Sequence, residues 1–390
     1  MTVFIAADID VSEPFGNTCR VLAFAEGLTK KGISVTLIVP TPLDDKFMIS
    51  TEGVKLEFIP LKQKPGSMLN LLKRFRLMIK RAQQFYDEEN AALLLEASWF
   101  AGFFALAGLK GYYLDVHGIG HDEAKYAKLP WYIPRGLYVR FHKFIEKCGI
   151  CSASKIIVVS KSMGDIIANK WNISCDHIVL VPNGYFNSRA QTISAMNCQE
   201  EKGAISFVGL FEKWAAVDKI IRAAKILQDQ KAVFYLIGDG PYREELEALT
   251  ENYGLSNVVF TGKVSLTKAY ELIARSEITL LPFPRTLTTE VACPVKVLEY
   301  MAFGKAMVVD EVSDICRLLK EHHAAMVSDP DDDKDFADKI RLLLNDSETR
   351  RIIGANARAL ANNFTWDNQV NELERVIRQR VHTISAGRLE

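Results

Sequence analysis

The strongest constraint in this chain is an alternation that runs twice. Short apolar, β-branched runs are each followed by a longer segment of helical period, the pattern of βα units on a parallel sheet. In the first half, strands are predicted at Val3–Ile9, Val35–Val39, Lys55–Ile59, Ala92–Leu95, Tyr112–Val116, Ile156–Val159 and Ile178–Val181. The helices between them fall at Thr18–Lys30, Ser67–Tyr86, Trp99–Leu109, Gly136–Cys148 and Ser162–Asn169. In the second half, strands at Ala204–Val208, Val233–Ile237, Val258–Phe260, Ile278–Leu281 and Ala306–Val309 alternate with helices at Val217–Gln228, Tyr242–Tyr253, Thr267–Ala274, Val295–Phe303 and Ile315–Glu321. Two polar helices, Asp332–Asn345 and Glu348–Asn362, lead to Trp366 and a last amphipathic helix, Asp367–Val381.

Two series imply an α/β protein of two doubly wound, Rossmann-like domains, as 390 residues allow. The turn Val181-Pro182-Asn183-Gly184 ends the first series, so residues 1–185 read as one domain, 186–203 as a polar linker and 204–366 as the second domain. Two such domains create a cleft, and open α/β sheets bind ligands at the carboxyl ends of their strands. A dinucleotide dehydrogenase is a weak alternative, because Asp8 to Asn17 carries only Gly16 where Gly-x-Gly-x-x-Gly is needed.

Charge narrows the partners. Lys+Arg 48 balances Asp+Glu 48, which leaves no global field for coating nucleic acid. The balance conceals two opposite halves: residues 1–185 hold 22 basic and 18 acidic side chains, net +4, and the remainder net −4. Five cations and no acid crowd into Lys73, Arg74, Arg76, Lys80 and Arg81, on a helix that also carries Leu72, Phe75 and Met78. Such a helix suits an anionic membrane surface or a solvated face over the core. Trp131-Tyr132-Ile133-Pro134-Arg135 with Arg140, His142 and Lys143 adds a second aromatic-basic segment. The apolar stretch from Ala91 to Leu109, interrupted by Glu96, parses as a buried strand and helix rather than a membrane span.

Seven scattered cysteines argue for a reducing compartment, so the cytoplasm is expected, with the inner face of the membrane as a further location. Cys148-Gly149-Ile150-Cys151 has no second pair and reads as helix-end core thiols; no metal site is expected. Met1–Asp8 lacks a basic lead-in and reads as a first strand, not a leader peptide.

The richest stretch is Pro294-Val295-Lys296-Val297-Leu298-Glu299-Tyr300-Met301-Ala302-Phe303-Gly304, a helix with Pro at its start and Gly at its end. Its first turn, at Pro294, Val295, Lys296 and Val297, offers free N–H groups and a full cation to an anion. Glu299 suits a pair of hydroxyls such as those of a ribose; the plain alternative is an exposed Lys296–Glu299 pair.

This stretch resembles the nucleotide-binding signature of the retaining glycosyltransferases of family 4, with the GT-B fold. Pro14-Phe15-Gly16-Asn17, Asp115-Val116-His117-Gly118, Val158-Val159-Ser160-Lys161-Ser162 and Val181-Pro182-Asn183-Gly184 are similar, in order, to elements of that family's first domain. Phe207-Val208-Gly209-Leu210-Phe211, Ile237-Gly238-Asp239-Gly240-Pro241, Phe260-Thr261-Gly262-Lys263-Val264 and Leu281-Pro282-Phe283 resemble the strand-end loops of its second. The resemblance implies transfer of a sugar from a UDP-, GDP- or other nucleoside diphosphate sugar to a glycan, lipid-linked or small-molecule acceptor, with retention, no cofactor and no metal. It also implies that the final segment, about 367–390, crosses back to the first domain.

Residue by residue, the resemblance implies that Glu299 meets the ribose, His117 the donor sugar, and Gly16 and Asn17 the diphosphate or acceptor. Gly209, Gly240, Gly262 and Val264 would line the nucleotide site. Asp8 and Asp10 at the end of the first strand are placed to polarise an acceptor hydroxyl or to cap the next turn, and His121 joins them on the acceptor side. Two positions depart from the family. Its first Glu falls on Val291, one residue from Glu290, and its diphosphate Lys falls on Ala215. Lys296, with Lys213 as second candidate, would supply the missing cation, and His117, Lys296 and Glu290 form the expected catalytic set. A nucleotide-sugar epimerase or hydrolase and a non-catalytic GT-B binding subunit remain open alternatives.

Overall fold

Strands joined by crossover helices must run parallel, and every pairing in both sheets does. The structure, a computed structural model, describes residues 1–12, 16–41, 53–62, 68–86, 90–127, 129–195 and 198–386. Pro14 and Phe15 of the first Gly-containing loop lie outside the described residues. The chain divides into one unit of Met1–Asn183 with Trp366–Glu390 and a second of Gly184–Thr365.

In the first unit the strands are β1 (Thr2–Ala6), β2 (Ser34–Thr41), β3 (Lys55–Lys62), β4 (Ala91–Glu96), β5 (Tyr113–Val116), β6 (Lys155–Val158) and β7 (Ile178–Leu180), in the order β3-β2-β1-β4-β5-β6-β7. Chain direction through the sheet reverses between β1 and β4, which are paired with Val3 beside Ala92. Their side chains are buried on both faces, as strands sandwiched by helices require. Most of Ala91 to Leu109 is accordingly core, forming β4 and the helix Ser98–Leu106 with its C-terminal end exposed, and no helix among the described residues is long and apolar enough to cross a membrane.

A buried arginine ties this unit together. Arg20, on the helix Gly16–Lys30, donates from Nε and Nη2 to Asp115 at 2.7–3.1 Å. Its remaining donors reach the carbonyls of Val181 and Pro182 and the Oδ1 of Asn183. The charge is thus paired and its fork satisfied, the condition under which a buried guanidinium is tolerable. The helix Trp366–Ala386 returns to the same unit: Trp366 packs edge-on against Phe24, and Leu373 and Ile377 are fully buried.

The second unit repeats the plan with β8 (Ala204–Val208), β9 (Val233–Ile237), β10 (Val258–Gly262), β11 (Ile278–Leu281), β12 (Ala306–Asp310) and β13 (Met326–Ser328), in the order β10-β9-β8-β11-β12-β13. Its reversal lies between β8 and β11. β13 was not expected, since three residues are too few to show a period; it pairs Met326 with Val308. Beside it Lys219 is buried against Asp310 at 2.8 Å and also donates to the carbonyls of Asp329 and Pro330.

Three expectations need correction. The stretch 186–203 is not simply a linker: Asn187–Ala195 is helical and belongs to the second unit, because its Arg189 is drawn to Tyr270 and Glu299. The basic helix Met68–Tyr86 does not present five cations to solvent. Arg74 is buried in a bidentate pair with Asp8, and Arg81 is bound to Glu57, which leaves Lys73, Arg76 and Lys80 exposed. Cys148 and Cys151 do end the helix Arg135–Ser152, but Cys151 is exposed rather than core.

Candidate functional site

In the first unit a cavity of about 180 Å³ opens where the sheet reverses, lined by residues that follow the carboxyl ends of β1, β4 and β5. Asp8 and Asn17 come from the β1 side, Glu96, Ser98 and Trp99 from β4, and His117 and Gly118 from β5, with Glu123 at the rim. The backbone is strained at this point: Ala97, between Glu96 and Ser98, has φ 68° and ψ 131°. That conformation costs a non-glycine residue on the order of 1–3 kcal/mol and concentrates at functional sites. Its amide donates to the Asp115 carbonyl at 2.9 Å, which fixes the strained residue against β5.

His117 Nε2 lies 2.6 Å from Glu96 Oε1. Burial alone would push the imidazole down, but the hydrogen bond and charge of Glu96, helped by Asp115, outweigh it and raise its pKa. Asp8 is raised by burial in spite of the Arg74 guanidinium against it. The cavity therefore presents carboxylates, an amide, a histidine and an indole, groups able to bind and polarise hydroxyls.

Two acceptor-side candidates are engaged elsewhere. His121 is buried, with Nδ1 bound to Glu146 and Nε2 to Lys170, and does not line the cavity. Both ring nitrogens are thus engaged, so His121 is a support. Glu146 also accepts from Ser98 Oγ at 2.9 Å and Gly120 N at 3.1 Å, which braces two cavity residues from below. Asp10 accepts from Ser12 N and Oγ and so caps its own turn. Gly16 is exposed at the start of the first helix, and Asn17 Oδ1 accepts from Thr18 N.

In the second unit the helix Val295–Ala302 begins at Pro294 with no side-chain cap, which leaves its first N–H groups, including those of Val295 and Lys296, available. Lys296 reaches back toward the carboxyl end of β8. Its Nζ stands 4.2 Å from the centroid of the Phe207 ring, half-buried, with no anionic partner among the described residues. Desolvation lowers its pKa to about 7. Gly209 makes this approach possible: at φ +155°, its Cβ would stand 2.3 Å from Lys296 Nζ.

Glu299, one turn along, is buried, accepts from the Tyr270 hydroxyl at 2.5 Å and lies 3.6 Å from Arg189. Burial raises its pKa despite these partners. Val297 points into the core. Glu290 is exposed at the end of the short helix Leu287–Glu290, whereas Val291 is buried, so the apolar side chain occupies the inward place. Lys213 lies over the Tyr242 ring at 5.3 Å, and Ala215 is buried, a site sized for a methyl group. Gly240 packs on the Phe211 backbone, where its Cβ would meet the carbonyl oxygen at 2.5 Å; Gly262 closes β10 and Val264 follows it, half-buried.

Sequence reasoning missed Glu96, Ser98, Glu123, Arg189 and Tyr270. Glu96 had a signal, as the one charge in the apolar run from Ala91 to Leu109. The others become visible only when the sheet order brings distant loops together.

The comparisons with known proteins agree with this architecture. The family described as Glycosyltransferase Family 4 matches residues 20–186, and Glycosyl transferases group 1 matches residues 189–360. Sulfoquinovosyl transferase of Arabidopsis thaliana is 27% identical over 256 residues, 61% of this chain and 48% of that protein, so the chain spans about half the length of this relative. Sucrose-phosphate synthase from Thermosynechococcus elongatus superposes with a TM-score of 0.76 at 16% identity, covering 97% of this chain and 99% of that one. Anabaena HepE in complex with UDP and glucose superposes with a TM-score of 0.72 at 14% identity, covering 97% and 100%. With one family match on each unit, and two parallel sheets whose order reverses beside the first strand, the chain belongs to glycosyltransferase family 4 and has its GT-B fold.

Proposed function

We propose that this protein transfers a sugar from a nucleoside diphosphate sugar to an acceptor hydroxyl with retention at the anomeric carbon, and that Lys296 neutralises the departing diphosphate. The observation that carries this reading is the Lys296 amine itself, half-buried beside Gly209 at an uncapped helix start. Breaking the bond from the anomeric carbon to the phosphate oxygen leaves negative charge on the diphosphate, and a fixed cation with aligned N–H groups lowers the barrier by stabilising it. Ala215, where the family places a lysine, makes the contribution of Lys296 more necessary. Glu299, held by Tyr270, would receive the ribose hydroxyls, and Gly262 to Val264 the base through main-chain groups.

The first-unit cavity would take the reacting hydroxyls. Its lining of Asp8, Asn17, Glu96, His117 and Glu123 with Trp99 is the chemistry that binds a polyhydroxylated ring. Because HepE was determined with UDP and glucose, uridine diphosphate is the first ligand to try.

A thermal-shift screen with uridine, guanosine and adenosine diphosphates tests the reading. A ligand that binds only the native state raises the midpoint, by about 2.7 kcal/mol of stabilisation at a hundredfold excess over Kd. One nucleotide is expected to do so, and to lose most of its effect in Lys296→Ala. A flat response to all three overturns the proposal. Release of free sugar at full rate without any acceptor would favour the hydrolase or epimerase alternative.

A further inference from the structure

The face that sequence reasoning offered to a membrane is largely used up internally, but a second face is not. Trp131 is 96% exposed and Tyr132 67%, on the loop that leads into the helix Arg135–Ser152. Along that helix Leu137, Phe141 and Phe144 are 65%, 48% and 56% exposed, and their spacing of four and three puts them on one stripe. Isolated exposed apolar residues are ordinary; a contiguous aromatic stripe on a surface helix is not.

The charges around this stripe are of one sign. Arg135, Arg140, Lys143 and Lys147 are all exposed, while the helix's single acid, Glu146, is buried and spent on His121, Ser98 and Gly120. Both this helix and the earlier candidate pack on the same neighbour. The rings of Phe75 and Trp99 lie 5.3 Å apart and those of Trp99 and His142 5.9 Å apart, so the helix Met68–Tyr86 flanks Ser98–Leu106 on one side as Arg135–Ser152 does on the other. Lys73, Arg76, Lys80 and the 55% exposed Leu106 are further exposed cations and an apolar side chain on those neighbouring helices.

We propose that the loop before Arg135 and the outward stripe of the helix Arg135–Ser152 dock on the surface of an anionic lipid bilayer, with Trp131 and Tyr132 at headgroup level. Exposed aromatics with long cations and no exposed acid fit that partner, since the rings enter the interface while the lysine and arginine stems lie along it with their heads toward lipid phosphates. Attraction to anionic headgroups adds to the apolar contact and is screened by salt. None of these residues lines the cavity of the first unit or lies in the second unit, so docking and sugar transfer are independent.

Flotation of the full chain with phosphatidylcholine vesicles, with and without phosphatidylglycerol, in low and high salt, tests it. Binding is expected to anionic vesicles and to weaken in high salt. Combining Trp131→Ser, Phe141→Ser and Phe144→Ser is expected to reduce it by about tenfold or more, in line with binding that scales with buried apolar area. Arg140→Gln with Lys143→Gln, which spares the stripe, is expected to remove the salt-sensitive part alone. Unchanged melting by circular dichroism shows that the variants fold. No flotation with anionic vesicles at low salt, or binding unaffected by the three serines, overturns the proposal. So does a concentration-dependent dimer in sedimentation that those serines abolish, which would make a second copy the occupant.

Discussion

Lys296 places its ammonium nitrogen 4.2 Å from the centre of the Phe207 ring and so close to Gly209 that a methyl group there would lie 2.3 Å from it. The cation is given an aromatic face instead of a counter-ion, which raises the cost of its charge until an anion arrives.

Nucleotide affinity should therefore depend on pH in a particular direction. With its pKa near 7 in the free protein, Lys296 must take up a proton when a diphosphate binds above that pH. Affinity should fall by up to about tenfold per unit from about pH 7 to about pH 9. Isothermal titration in buffers of different ionisation enthalpy would register the proton uptake, and Lys296→Arg should flatten the profile. A wild-type affinity constant across that range counts against the diphosphate contact.

The same residue should weaken the free protein. The unfolded chain holds the Lys296 proton up to about 10.5 and the folded one only to about 7, so the penalty is full below pH 7 and fades as pH rises between those values. Lys296→Met should raise the melting temperature near neutral pH while abolishing the nucleotide-dependent shift. A variant that melts earlier than wild type would contradict the assignment of an uncompensated charge.

Gly209→Ala tests the close approach. The added methyl must displace the lysine amine and sit at φ +155°, a conformation costing on the order of 1–3 kcal/mol for other residues. We expect a lower denaturation midpoint and at least a severalfold loss of nucleotide affinity, while Gly254→Ala, strained but distant in sequence from the site, should lose stability alone.

His117 should report on Glu96. The carboxylate holds the imidazole above its usual range against the opposing effect of burial, so Glu96→Gln should bring its titration below 6.5. Because the folded pKa is raised, this pair stabilises the protein at low pH and the benefit disappears as pH rises through the histidine's folded value. Proton NMR of the imidazole would follow the shift; an unaltered His117 titration in the variant would remove Glu96 as its cause.

Asp115→Ala should be among the most damaging single changes in the first unit. It would leave the fully buried Arg20 with carbonyl partners but no counter-charge, a loss of about 3–5 kcal/mol. Urea denaturation should show it, with Asp115→Asn milder because it keeps an acceptor for Arg20.

Much of this fold was legible because parallel strands buried on both faces announce themselves as apolar runs, and the strands from Val3 to Val309 were found within a few residues. β13 was missed for its brevity, and Asn187–Ala195 because a polar stretch looks the same whether it is a connector or a helix carrying Arg189 to Glu299. Motif spacing pointed to Lys296, Glu299 and His117, but it could not distinguish Asp8, which faces the cavity, from Asp10, which caps its own turn. Nor could charge density reveal that Arg74 turns inward to Asp8: periodicity gives a helix its faces without saying what waits beneath them.

The return of Trp366–Ala386 to the first unit makes the second unit an insertion, its two ends clasped by the backbone bridge between Tyr185 and Thr365. On the ribosome, Gly184–Thr365 is whole and able to fold while the first unit still waits for the helix that covers Phe24 and Gly27. The domain translated first is the last to be completed, and a premature stop after Thr365 would strike the first unit rather than the second unit beside it in the sequence.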